Sequence, residues 1–199
     1  MNSTEKTALA DTLIDRLRAE GFDCEDQGDV LEDYRRIVRV TGTTKAKISL
    51  HFGSCTINVD TIFIDGGSRE KGICRSLIKL LYRFGERHHF EGLRILASGP
   101  HAFVWPMLGF QPTRESWSEI KAETLELFDR NIGMLEHDGV TLLNALRAAS
   151  EPALFIALGE LISAGRDLPP AEMARKILQR TWGGELCYGN QFGRERLFR

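Results

Sequence analysis

The sequence carries almost no charge imbalance. Its 199 residues include 26 Lys and Arg against 28 Asp and Glu, which gives a formal net charge of −2. Proteins that bind nucleic acids usually carry a basic surplus that attracts them to the phosphates. The composition therefore disfavours general nucleic-acid binding.

Long apolar runs are also missing. No stretch approaches the roughly 20 apolar residues that span a bilayer. The first residues, MNSTEKTALADTL, do not place a basic segment before an apolar one, as a secretory signal would. We therefore expect neither export nor membrane insertion, and we predict a cytoplasmic protein.

Cysteines are few and widely spaced, and none forms a CxxC pair. A chain of this length can close a core without disulfides, so we predict reduced, buried thiols. His88, His89 and His101 lack cysteine or carboxylate companions at metal-ligand spacing, so no metal site is predicted. The four cysteines are Cys24, Cys55, Cys74 and Cys187.

The apolar residues recur at the intervals of helices and strands. Residues 4–20 have helical spacing, with Ser3 or Thr4 as N-cap and Gly21 as the terminating glycine. Residues 34–64 read as three successive antiparallel strands. In the last of these, the odd positions from Cys55 to Phe63 would share one face, and the even positions from Thr56 to Ile64 the other.

A strand–glycine turn–helix order follows. The turn is Gly66-Gly67, and a helix is predicted after it, followed by a short strand at 93–98 and a helix or turn at 101–110 that ends at Gly109. Residues 115–179 are almost wholly helical in period. Residues 184–189 could form a returning strand, and the arginine-rich tail is predicted to be mobile at its end.

The segment that joins the third strand to its helix is typical of an anion site. Unpaired N–H groups and the helix dipole meet at such a helix N-terminus. Cations there, such as Arg69 and Lys71, oppose the positive end of the dipole unless an anion binds. The segment has neither the P-loop pattern nor the dinucleotide pattern, which disfavours a kinase or a dehydrogenase.

This segment resembles the acyl-CoA motif [QR]-x-x-G-x-[GA] of the GNAT acetyltransferases, with Arg69, Gly72 and Cys74 at its three positions. About 35 residues downstream, WPMLGF resembles the family's Y-x-x-x-G-F, with Trp105 at the tyrosine and Gly109 in the Gly-Phe ending. The resemblance covers residues 34–112.

The resemblance implies an α/β (α+β) fold of GNAT type: a mixed, mostly antiparallel sheet with flanking helices, here with an added C-terminal helical region. It implies an N-acyltransferase that moves an acetyl or other acyl group from acyl-CoA to an amine by direct attack, without a metal. The cofactor-binding residues that it implies are Phe63, Ile64, Arg69, Glu70, Lys71, Gly72, Ile73, Cys74 and Arg75.

Two residues depart from the family pattern. Cys74 replaces a Gly or Ala; we read it as a buried small residue, although a helix N-terminus could also activate a thiol. Trp105 replaces the tyrosine that often protonates the leaving thiolate, and an indole N–H cannot act as an acid near neutral pH. The catalytic positions would be Asp60, as general base, and Trp105. Two alternatives remain: Asp60 has a structural role, or His51 is the base.

The predicted organisation is a GNAT-like core with an N-terminal helix at 1–112, a helical insertion at 113–181, and a closing strand and tail at 182–199. In the family, the Gly-Phe element runs almost directly into the next strand, so the insertion is unusual. It could cover the acceptor site or form a homodimer interface. The alternatives to an enzyme are a GNAT-like binding module without transfer activity, and a helical interaction protein whose motif match is accidental.

Overall fold

The computed structural model describes residues 1–28, 35–64, 72–98, 102, 104–130, 140, 144, 147–148 and 182–198. They fall into two compact units. The first comprises Met1–Ile95, Cys187–Gln191 and Phe198, and the second Leu96–Leu186, Phe192–Leu197 and Arg199. Each is described by itself below.

The first unit is a mixed sheet with two helices. Strands β1 to β5 lie in the order of the sequence; the pairs β1–β2, β2–β3 and β3–β4 are antiparallel, and β4–β5 is parallel. The mixed, mostly antiparallel sheet with flanking helices is thus confirmed, and it is consistent with a GNAT-like fold. The elements are α1 (Ser3–Ala19), β1 (Asp23–Asp26), β2 (Arg35–Thr41), β3 (Thr44–His51), β4 (Thr56–Ile64), α2 (Ile73–Arg87) and β5 (Gly92–Ala97).

Helix α1 begins with a capping box. The Asn2 side chain accepts a hydrogen bond from the Glu5 N–H at 2.9 Å, and the Glu5 carboxylate accepts from the Asn2 N–H at 2.8 Å. The predicted cap at Ser3 or Thr4 is therefore wrong by one or two residues. The predicted stop is confirmed, because Gly21 has φ +85° and follows the last turn.

Both helices cover one face of the sheet. Helix α1 contacts β1, β2 and α2, and α2 contacts β4. Apolar residues three and four apart on each helix meet the inward residues of the strands, which makes this face the core of the unit. The fully buried residues include Leu13, Leu17, Val38, Ile48, Leu50, Ile57, Leu77, Ile78, Leu81 and Phe84.

One side of α2 binds the chain just after the last strand. The Tyr82 hydroxyl donates to the Tyr188 carbonyl at 3.3 Å, and the two rings meet edge to face at 4.7 Å. Gly85 leaves room for Tyr188, because a Cβ at Gly85 would lie 1.7 Å from the Tyr188 hydroxyl oxygen. Phe198 packs on the same helix, with the Lys79 ammonium 5.5 Å and the Arg83 guanidinium 5.1 Å from its ring centre.

Two features of this unit differ from the sequence prediction. Strand β1 was not predicted, because its sequence, DCED, has no apolar alternation. The expectation of buried thiols is wrong for Cys55, which is exposed in the turn before β4 with φ +47°. All four cysteines are free.

The second unit contains three whole elements and most of two more. The whole elements are α3 (Val104–Met107), β6 (Gln111–Pro112) and α4 (Arg114–Arg130). The other two are β7 (Trp182–Cys187), which belongs to this unit up to Leu186, and α5 (Gln191–Phe198), which belongs to it from Phe192 to Leu197. Strand β6 pairs antiparallel with β7. Gly109-Phe110 therefore runs directly into a strand, β6, as in the family pattern. The long insertion lies after it, between β6 and β7. Helix α4 lies where helix was predicted, whereas the predicted helices between 149 and 181 lie outside the described residues.

The C-terminal tail forms a helix up to Phe198. Helix α5 covers Gln191–Phe198, and its residue Gly193 lies directly against Gly109, whose φ is +93°. A Cβ on Gly109 would lie 2.3 Å from the Gly193 carbonyl oxygen. The helix was not predicted, because packing of this kind is a tertiary effect that the arginine-rich composition does not reveal, and mobility at the very end of the tail stays a prediction.

His88 makes the stability of the fold sensitive to acid. Its ring stacks 4.5 Å from that of Phe84, and its Nε2 is buried without a hydrogen-bond partner in the described part of the chain. Burial lowers the pKa of His88, helped by the Arg16 and Arg87 charges. The unfolded chain therefore takes up the proton first, near pH 6.5. We expect the stabilisation from a neutral His88 to be complete above pH 6.5 and to be lost as the pH falls below it.

Urea unfolding of the wild type between pH 7.5 and 5 measures this loss. His88→Phe, which keeps the aromatic contact and cannot be protonated, should flatten the dependence on pH. The matched control is His89→Asn, because His89 is exposed and asparagine tolerates its φ of +60°. Equal pH slopes for the wild type and His88→Phe would show that His88 does not carry the effect.

Candidate functional site

Strand β4 separates from β5 halfway along its length. It pairs with β3 from Thr56 to Ile64, but with β5 only from Thr56 to Val59, opposite Gly92 to Ile95. Beyond Val59, no strand in the described part of the chain pairs with this side of β4. The backbone there has N–H and C=O groups directed away from β3 that an extended ligand could bind.

A β-bulge lies where the two strands part. Lys47 is opposite Thr61 and the next residue, Ile48, is opposite Val59, so Asp60 has no partner on β3. An extra residue of this kind shifts the side-chain alternation by one. The predicted faces of β4 are therefore wrong beyond the bulge, because Thr61 and Phe63 share a face with Asn58 rather than with Val59.

Asp60 is held by a buried serine. The Ser49 hydroxyl, which is 0% exposed, donates to the Asp60 carboxylate at 2.5 Å. Asp60 itself is half-buried, so its surroundings are more polar than the apolar neighbours expected from the sequence. Ser49 was missed, and the only signal for it was a small polar residue within an otherwise apolar strand.

His51 lies on the same face as Ser49, two residues further along β3, and is half-buried. Burial lowers the pKa of His51, the Arg35 charge lowers it further, and the Asp60 carboxylate acts in the opposite direction. Its imidazole is therefore neutral near pH 7 and can accept a proton. Ser49 and Asp60 meet where β4 leaves β5, whereas His51 is opposite Thr56, at the other end of the stretch over which β4 pairs with β5.

Helix α2 starts without a side-chain cap. Its N-cap is Gly72, with φ +67°, and no side chain accepts from the first-turn N–H groups at this position. Gly72 is exposed, and a Cβ there would meet nothing within 4 Å. An exposed helix N-terminus of this kind can bind an anion. Arg69, Glu70 and Lys71 lie outside the described residues.

The first turn of α2 contains Ile73, Cys74 and Arg75, all half-buried. Burial raises the pKa of Cys74 to about 11, despite the nearby Arg75 charge. Cys74 is thus an unreactive thiol near neutral pH, in agreement with its interpretation as a small packed residue. On β4, Phe63 is 53% exposed, and Ile64 ends the strand, with its side chain outside the described residues.

Trp105 belongs to the second unit. It lies in α3, is half-buried, and meets the Phe110 ring edge to face at 5.3 Å. The Phe110 N–H donates to the Trp105 carbonyl at 3.1 Å, which closes the turn at Gly109. The indole is therefore fixed by packing within its own unit. Its N–H can donate a hydrogen bond and cannot supply a proton.

No group of three or more His, Cys, Asp or Glu among the described residues could hold a metal ion. None of the described helices has the length and apolar character needed to cross a membrane.

Comparisons with known proteins give a slight likeness. No family model matches the sequence, and no curated protein matches it. Among solved structures, a nourseothricin acetyltransferase is similar, with 15% identity, a TM-score of 0.35, and coverage of 46% of this chain and 69% of that chain. A likeness of this size carries no argument about activity.

Proposed function

We propose that this protein is a GNAT-like N-acyltransferase that moves an acetyl or related acyl group from acyl-CoA to an amine. The observation that carries the proposal is the parting of β4 from β5 at the Asp60 bulge, followed along the chain by an uncapped helix N-terminus at Gly72. A single strand–helix unit thus offers a backbone edge, a carboxylate and an anion site.

The unpaired side of β4 suits the amide-bearing arm of CoA. An extended chain that adds to a strand edge gains main-chain hydrogen bonds, and the exposed Phe63 ring lies on this part of β4. The CoA pyrophosphate would bind at the start of α2, at the backbone of residues 70–75. Arg69 and Lys71 are proposed to add positive charge there.

Transfer needs a proton acceptor, because an alkylamine with a pKa of about 10 is protonated near neutral pH. In the proposed step, the Asp60 carboxylate takes the proton from the ammonium group. The amine nitrogen then attacks the thioester carbonyl carbon. A C–N bond forms, the nitrogen loses its second proton to water, the C–S bond breaks, and CoA leaves with the electron pair as a thiolate.

Trp105 matters for the protonation of the CoA thiolate and for the choice between an enzyme and a binding module. Because an indole cannot protonate the thiolate, water takes that role in the proposed reaction. The same residue favours the second candidate, a module that binds acyl-CoA without transferring the acyl group. Acetylation assays on a panel of amines and peptides separate the two candidates.

We expect acetyl-CoA to stabilise the protein against unfolding. A ligand that binds only the folded state adds about 2.7 kcal/mol at a hundred times its dissociation constant. Gly72→Glu should abolish this stabilisation, because it places a negative charge at the proposed phosphate site. Thermal unfolding and calorimetry with acetyl-CoA and with CoA measure the effect.

Gly72→Gln is the matched control. It has the same size and the same strain at φ +67° but no charge, so it should keep most of the affinity for CoA. The absence of any shift with millimolar acetyl-CoA in the wild type would overturn the proposed function. Equal affinity in the Glu and Gln variants would place the phosphates elsewhere.

A further inference from the structure

The sheet of the first unit has a second face, opposite α1 and α2, and it is rich in cations. Residues directly opposite each other on paired strands share a face. Arg35, His51 and Thr56 form one such row, and Ile37, Ser49, Asn58 and Arg94 form the next. The row after that contains Arg39, Lys47 and Thr61, and beyond it Lys45 is opposite Phe63.

We call Arg35, Lys45, Lys47 and Arg94 the cationic face. Among the described residues of β2 to β5, Asp60 carries the only carboxylate on this side of the sheet. Arg39 also lies on this side, but Glu25 is directly opposite it on the edge strand β1. Apart from Arg39, this side of β2 to β5 thus has four cations and one anion among its described residues.

These cations have no acidic partners in the described part of the chain. The ion pairs found there involve Arg36, Arg130 and Arg147, and none involves the cationic face. Lys47 lies directly opposite Arg39, and like charges in that position destabilise a sheet. An anion bound at this face would relieve the repulsion.

The cations of this face are accessible, although Ile37, Ser49 and Thr56 on the same face are buried. Arg94 and Lys45 are exposed, and Arg35 and Lys47 are half-buried. Arg94 is opposite Asn58, two residues before Asp60. Its Cα is therefore about 5 Å across the sheet and about 7 Å along the strand from that of Asp60, by standard sheet spacings. His51 lies among these cations but is neutral near pH 7, so it does not cancel them.

We infer that the acceptor amine carries an anionic group, a carboxylate or a phosphate, which binds the cationic face while the amine nitrogen lies at Asp60. The inference rests on the proposed function, because it concerns the second substrate of the same site. A short spacer between the two groups matches the separation of Arg94 from Asp60. A cationic acceptor such as a polyamine is repelled by the same four residues.

Four amines in which two carbons separate the nitrogen from a second group test the proposed preference for an anionic acceptor. They are 2-aminoethyl phosphate, β-alanine, 2-aminoethanol and 1,2-diaminoethane, each used with acetyl-CoA. A charge-assisted hydrogen bond contributes about 1.5–3 kcal/mol, which corresponds to a factor of roughly 10–150. We expect kcat/KM for at least one anionic amine to exceed that for 2-aminoethanol by this factor, with 1,2-diaminoethane slowest. The two anionic amines separate carboxylate from phosphate recognition.

Arg94→Gln should remove most of this preference. It should raise KM for the anionic amine about tenfold or more, with little change for 2-aminoethanol and none in CoA affinity. Lys47→Gln is the second variant, in case one of the two fails to fold. The matched control is Arg87→Gln, which removes the same charge from an exposed position on α2, the helix on the opposite face.

The two proposals can fail separately. If the protein binds acetyl-CoA and acetylates 2-aminoethanol or 1,2-diaminoethane as well as the anionic amines, the inference is overturned and the proposed function stands. If it does not bind acetyl-CoA, both are overturned. If it binds acetyl-CoA but acetylates none of the four, calorimetry with 2-aminoethyl phosphate and β-alanine decides: no binding heat for either overturns the inference, and binding that Arg94→Gln abolishes supports it.

Discussion

Asp60→Asn lowers the rate of acyl transfer by a factor of about 10²–10⁴, the usual contribution of a general base, while leaving CoA affinity unchanged. The substitution removes proton acceptance and little else. Asparagine has the same shape, and its amide oxygen can still accept the hydrogen bond from the buried Ser49 hydroxyl. Steady-state rates and calorimetry with CoA give the two quantities.

The pH profile separates a lost base from a distorted site. As the pH rises toward the pKa of the acceptor amine, near 10, more of the amine is already deprotonated and the need for a base declines. The ratio of wild-type to variant rates should therefore shrink with pH. A ratio that stays constant would indicate that Asp60 acts by positioning.

Glu25→Gln is the control for Asp60→Asn, because Glu25 is an exposed carboxylate on the edge strand of the same sheet. It should change the rate little. An unchanged rate and pH profile in Asp60→Asn would contradict the assignment of the base and make His51 the next candidate. If the wild type and Trp105→Tyr both bind CoA and transfer nothing to a broad panel of amines and peptides, the binding module replaces the enzyme.

Gly109→Ala should be strongly destabilising, at about 2–5 kcal/mol. Its φ of +93° is a conformation that costs an L-residue about 1–2 kcal/mol. The new Cβ would also lie 2.3 Å from the Gly193 carbonyl oxygen. A backbone atom cannot rotate away as a side chain does, so the overlap adds about 1–3 kcal/mol.

Two other glycines separate these causes. Gly21 has φ +85° with nothing within 4 Å of a Cβ, so Gly21→Ala should show the conformational cost alone. Gly189 has neither a positive φ nor a close neighbour, and Gly189→Ala should be nearly neutral. Urea unfolding should rank the losses as Gly109, then Gly21, then Gly189. A loss at Gly109 no larger than that at Gly21 would mean that the approach to Gly193 relaxes freely.

The elements that could be predicted are those whose signal is local. Helix α1 and strands β2 to β4 follow from apolar periodicity, and Gly21 and Gly109 from helix-stop chemistry. Strand β1 has no such signal, because its four residues contain one apolar side chain and it forms only by pairing with β2. Helix α5 also went unpredicted, since what fixes it is its contact with distant segments.

The candidate site shows where this limit lies. The sequence identified Asp60 and Gly72 as individual residues, but the partner of Asp60 depends on the register between β3 and β4. The bulge itself left a trace, because the apolar positions of β4 are odd up to Val59 and even at Ile62. That change of parity is what one inserted residue produces.

The contact between Tyr82 and Tyr188 has a consequence for the order of folding. It joins residues 106 apart in the sequence, so the ribosome must make more than half of the chain before the side of α2 that carries Tyr82 is covered. At 5–20 residues per second, that interval lasts about 5–20 s. Throughout it, the aromatic surface around Tyr82 is available to other nascent chains and to chaperones. Contacts between residues this far apart also slow refolding from denaturant, so we expect the same surface to stay uncovered for longer whenever the chain refolds.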